Sequence, residues 1–257
     1  MIDSHYLALA AGYAVAALSW LAVARMLPRV WPPTPAIHFA HPWREVGWAL
    51  LAVLAVVGLG QLWGAGWRLP EQGNLGILFE SINQLVIFSP LLLLLWLRRQ
   101  PPSTAWIPTD RVATRVLVGL VLATLAFLAF TLVSRDAPWL ALLGRISRPR
   151  NAPFAVKVLL YDLGSAILFV RLRAALGLRL SILLVAALFA AAHVPALLQQ
   201  GATPGELARL VLDAGLGVGI LSVVQRSADI WWFWPVHFAL AVTQFWTQFS
   251  EAVRDAA

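Results

Sequence analysis

The chain has 257 residues, of which 60% are apolar and 12% charged. A soluble domain carries roughly a quarter charged residues, so a water-facing surface is excluded and lipid must cover most of the outside. Nineteen basic residues against twelve acidic ones leave a net charge of +7. The basic residues, all arginine except Lys157, fall between apolar runs, where anionic headgroups and not nucleic acid are the expected partner. Cysteine is absent, which excludes disulfides, thiolate nucleophiles and cysteine-based metal sites.

Eight segments reach about 20 residues, the length that spans a bilayer. They run over 6–27, 46–63, 77–97, 112–133, 154–176, 178–198, 207–224 and 230–249. The opening residues lack a basic leader region, so the first run reads as an anchor and not a cleaved signal. The third carries Glu80, Asn83 and Gln84 in its first turns, so an amphipathic or re-entrant start is expected. The connections are short and rich in Pro and Arg, as at 28–35, 98–102 and 145–153, and none holds a soluble domain. Residues 1–257 therefore read as a single integral membrane domain, an all-α polytopic transmembrane helical bundle of about eight spans, without internal repeats. Many of the 13 tryptophans sit near run ends, where aromatic belts form.

With eight spans, connections 1–2, 3–4, 5–6 and 7–8 share one side and hold 11 basic residues against eight opposite. That small bias places both termini outside the cytoplasm, while the arginines of 135–157 oppose it. The preference for Arg over Lys suggests a GC-rich coding sequence, so the expected location is a bacterial cytoplasmic (inner) membrane, crossed many times.

Ionisable groups at membrane depth cost on the order of 2.5–3.5 kcal/mol on insertion scales and normally mark function. Asp162, His193, Asp213 and His237 stand out, on four consecutive spans. Each also has a plain structural alternative. Either histidine can simply bond a neighbouring helix, Asp162 can pair with Arg171 or Tyr161, and Asp213 can sit near the interface. The histidines lie in Phe189-Ala-Ala-Ala-His193-Val-Pro195 and Trp234-Pro235-Val-His237, each two residues from a proline. Proline in a helix frees a carbonyl, which membranes tolerate where backbone faces protein or a wet cavity. A pocket beside the histidines is expected. Gly215-Leu-Gly217-Val-Gly219 reads as a close helix-packing face. His38 and His41 read as an interfacial turn.

Phe189-xxx-His193 followed by His237, both in membrane helices, resembles the CAAX-processing and bacteriocin-processing (CPBP, or Abi) intramembrane protease family. The likeness covers 154–243 in detail. It implies a polar intramembrane site in which a glutamate activates water and an asparagine steadies the oxyanion. The family's Glu-Glu pair falls at Ser165 and Ala166, its Arg at Val170 beside Arg171, and its Asn at Ala241. Neither Ser165 nor Ala166 can act as general base, and Ala241 offers no donor. Asp162 lies one turn from the missing glutamates, about 5.4 Å along the axis, and Asp213 is the other replacement carboxylate.

Two readings follow. The first is a degenerate, non-proteolytic CPBP member that binds or helps assemble a membrane-protein partner. The second is an active endopeptidase for a membrane-anchored peptide, with His193 and His237 catalytic alongside Asp162 or Asp213. In that second reading the two histidines can also ligate a divalent metal such as zinc. A transporter, using the same residues as a proton relay, ranks last, because no inverted repeat is visible.

Overall fold

The structure, a computed structural model, describes residues 4–32, 37–70, 75–134, 139–192, 194 and 203–254. The described residues contain helices and no strands. In chain order they are α1 (Ser4–Met26), α2 (Pro42–Gly64), α3 (Gly76–Leu97), α4 (Val112–Ser134), α5 (Trp139–Ile146), α6 (Ala152–Leu176), α7 (Leu178–Ala191), α8 (Pro204–Ser227) and α9 (Ile230–Arg254). Short 3-10 turns at Pro102–Ala105 and Pro149–Asn151 precede α4 and α6.

The bundle is helical and membrane-like, but the expected eight spans are not all matched. Among the described residues six helices, α1, α2, α3, α4, α6 and α8, are long and apolar enough to cross a bilayer. The described part of α7 is apolar but has 14 residues, about 21 Å at 1.5 Å per residue. Of the remainder of the expected span, 192–198, positions 193 and 195–198 lie outside the described residues. α9 has 25 residues but falls outside the apolar group, because Gln244, Thr243, Thr247 and His237 interrupt its run. α5 is an extra short helix in a stretch read as a connection. α3 runs as one continuous helix from Gly76, so its start is not re-entrant. Asn83 is fully buried there, exchanging hydrogen bonds with both backbone groups of Leu69 and clamping the preceding loop.

α6 is the centre of the bundle. Its spanning window is 56% buried, against 17–33% in the other five spans, and it packs on α2, α3, α7 and α9. α4 lies between α1 and α9. The α4–α9 approach is set by Gly119, where a Cβ would stand 2.6 Å from the Trp232 carbonyl oxygen and 2.8 Å from its Cα. Of the three α8 glycines, Gly217 meets Ala186 of α7 at 3.2 Å from a built Cβ, while Gly215 and Gly219 face open space. The close face therefore reduces to one residue.

Polar side chains tie the connections together at one end of the bundle. Asp229, fully buried between α8 and α9, accepts from Arg115 Nη1 at 2.7 Å, Trp31 Nε1 at 2.8 Å and the Trp231 backbone N–H at 2.8 Å. Burial pushes the Asp229 carboxyl above its ordinary value, against the downward pull of Arg115 and the N–H donors. Arg171, also fully buried, donates to Gln100 Oε1 and to the Ile167 carbonyl at 2.7 Å. Gln100 and Arg98 in turn donate to Glu45, each at 2.6 Å. Asp162 is thus not paired with Arg171, which lies nine residues, roughly 13.5 Å, further along the helix.

Candidate functional site

Four helices and the start of α1 enclose a cavity of about 170 Å³ at the level of mid-α6. From α6 come Asp162 and Ser165, three residues apart and therefore on one face. From α9 come Phe233, His237, Ala241 and Gln244, a stripe at helical spacing. Asp213 and Gly217 of α8, Ala186 and Phe189 of α7 and Tyr13 of α1 close the wall. The space is mostly aliphatic and aromatic, with its polar groups converging from α6, α8 and α9.

The chemistry centres on one contact. His237 Nδ1 stands 2.6 Å from Asp162 Oδ1, with the two side chains 16% and 6% exposed. A proton on Nδ1 donates to the carboxylate, which fixes the ring and leaves Nε2 as the basic nitrogen. Nε2 takes no hydrogen bond from the described residues. Asp162 Oδ2 is buried and likewise has no partner. A buried acceptor in this state costs free energy until a donor reaches it. The pair therefore presents two unfilled hydrogen-bonding atoms. Aromatic rings surround the imidazole, with Phe233, Phe189 and Tyr13 at centroid distances of 5.4, 6.3 and 6.5 Å.

Of the four sequence candidates, Asp162 and His237 bond directly and Asp213 lines the same cavity. His193 and Pro195 lie outside the described residues. Phe189, which opens the Phe-xxx-His pattern, is on the cavity wall. Among the described residues no three His, Asp or Glu side chains gather as a metal would require. The donor set they offer for zinc is a single imidazole already held by a carboxylate, which falls short of three protein ligands. His38 and His41 are far from this site in the chain, His41 forming the N-cap position of α2.

The positions where the family resemblance expects catalytic groups also meet here. Ser165 and Ala241 line the cavity, while Ala166 is fully buried. Among the lining residues that escaped the sequence reading, Tyr13 and Gln244 bring polar groups to the cavity. Gln244 has a periodic signal, seven residues after His237 on the same α9 face. Tyr13 has none, since nothing local links α1 to α9. The nearest polar substitutes are offset alike. Asp162 lies three residues before Ser165, and Gln244 three after Ala241, each about 4.5 Å along its axis. Because α6 and α9 run in opposite senses, both offsets point toward the same membrane face.

No family model, curated protein or solved structure matches this chain.

Proposed function

We propose that this chain is a divergent, non-proteolytic CPBP-type protein of a bacterial inner membrane that seats part of a membrane partner in its α6–α9 cavity. The observation that carries this reading is the lining. Ser165 and Ala241 stand at the cavity positions where the family places its base and its oxyanion donor, and neither can perform those tasks. A 170 Å³ space walled by aromatic rings, with an unpartnered Asp162 Oδ2, suits an apolar segment that brings one hydrogen-bond donor. The partner's own helix, or an amide group on it, supplies that chemistry without any bond being cleaved.

An eight-crossing layout goes with this reading. In that layout α7 counts as a crossing, and α9 crosses because its His237 and Gln244 face the cavity and not lipid. The contacts of Trp31 and Arg115 with Asp229 join the connections after α1, before α4 and before α9 at one face, as an even number of crossings requires.

A second reading is favoured by the Asp162–His237 hydrogen bond itself. Held by Asp162, His237 Nε2 can take a proton from water as the water oxygen attacks an amide carbonyl. The Gln244 amide then donates to the oxyanion, and the proton passes to the leaving amine. Comparing protein termini in membranes that carry the wild type, His237→Ala or Asp162→Ala separates the two. The non-proteolytic reading predicts the same set of termini in all three. A new terminus present with wild type and missing with both variants contradicts it and establishes the peptidase.

A further inference from the structure

At the opposite end of the bundle from Asp229, three arginines lie on one turn. Arg145 closes α5, and Arg148 and Arg150 follow before α6. The turn is built and not loose. Asn151, 8% exposed, donates from Nδ2 to the carbonyls of Arg145 at 2.7 Å and Ile146 at 2.9 Å. That brace folds Arg150 back toward Arg145. Both guanidiniums then stand over the indole of Trp246 on α9, at 4.7 Å for Arg150 and 5.7 Å for Arg145. Two cations share one ring, and no carboxylate lies within ion-pair distance of Arg145, Arg148 or Arg150 among the described residues. The indole Nε1–H of Trp246 is buried and has no acceptor.

The neighbouring surface is apolar. Trp139, Leu140 and Leu143 are 50%, 64% and 43% exposed, while Leu142 at 3% faces the bundle. A short helix with apolar residues outward and arginines at its end belongs at the headgroup level of a bilayer. An anion there offsets two adjacent guanidiniums, and Arg forks match phosphate oxygens in geometry as well as charge.

We propose that the α5–α6 turn binds the phosphate of an anionic membrane lipid between Arg145 and Arg150, beside Trp246, with the acyl chains along Trp139 and Leu143. The site is independent of the α6–α9 cavity. The lipid contributes negative charge that zwitterionic lipids lack, so retention weakens as salt rises.

The test uses the full chain in nanodiscs of phosphatidylcholine with and without phosphatidylglycerol, read by native mass spectrometry for retained lipid. Wild type is expected to keep a phosphatidylglycerol molecule. The double variant Arg145→Gln/Arg150→Gln should retain it about 30-fold less, the combined effect of two arginines near an anionic surface. Arg179→Gln, at the other end of the bundle, should retain it as wild type does. If the double variant does not elute as a folded species, Arg150→Gln alone is read, with an expected fall of about fivefold. Equal retention by wild type and these variants overturns the proposal. So does a stabilising shift from inorganic phosphate in detergent that matches the lipid's, which makes this a free-anion site.

Discussion

Breaking the Asp162–His237 pair should reveal a coupling larger than membrane hydrogen bonds usually show. The two atoms are 2.6 Å apart and both side chains are largely shielded. That length belongs to the charge-assisted class, for which about 1.5–3 kcal/mol is usual. Neutral interhelical bonds in a membrane protein average about 0.6 kcal/mol and reach about 1.7. A double-mutant cycle of wild type, Asp162→Ala, His237→Ala and the double variant, measured by denaturation in mixed micelles, isolates the pairwise part. We expect a coupling of about 1.5 kcal/mol or more. His237→Ala should cost more than Asp162→Ala, because it leaves both carboxylate oxygens buried without a donor, Oδ2 being already orphaned. Additive single variants, with coupling below about 0.5 kcal/mol, would refute the geometry on which the site rests.

Gly119→Ala should destabilise the bundle by about 1–3 kcal/mol, since overpacking against backbone forces α4 and α9 apart. Gly219→Ala, with open space around its Cβ, should leave thermal unfolding in detergent nearly unchanged. Asp229→Ala should cost about 3–5 kcal/mol, because it removes the buried acceptor of Arg115, Trp31 Nε1 and the Trp231 N–H and leaves Arg115 only the exposed carboxylate of Asp110. Asp110→Ala removes the other carboxylate paired with Arg115, at 3.2 Å and 59% exposed, and should cost less than about 1 kcal/mol; equal losses would contradict the buried-knot account. The absence of native cysteine makes single-cysteine labelling clean. Cysteines at Arg29, Arg99 and Ala228 should react from one membrane face, and those at Arg68 and Arg148 from the other. Mixed labelling within either set contradicts the layout.

Long apolar helices were legible because their run lengths match a bilayer directly, and α1, α3 and α4 begin and end within two residues of expectation. α5 was hidden because eight residues among arginines carry no spanning signal. α9 was read as a span by its length, although its polar stripe keeps it outside the apolar group. Asp162 and His237 were visible as misplaced ionisable residues at membrane depth, yet their pairing is a tertiary fact. Arg171 was an equally plausible partner for Asp162 on charge, and the structure instead spends it on Gln100 and backbone carbonyls. Tyr13 shows the limit most plainly. It reaches the cavity from the first helix, and no periodicity in α1 points toward α9. Ser165 and Ala241, singled out in the sequence only through a resemblance, both line the cavity.

The central claim is that the α6–α9 cavity holds a partner without cutting it. The most direct measurement places a photo-crosslinking residue at Phe233, on the cavity wall, in the native membrane. The account predicts an adduct with one intact membrane protein that persists in His237→Ala and disappears when Ala241→Trp fills the cavity. An adduct indifferent to Ala241→Trp, or one with a truncated protein whose shortening requires His237, would contradict it.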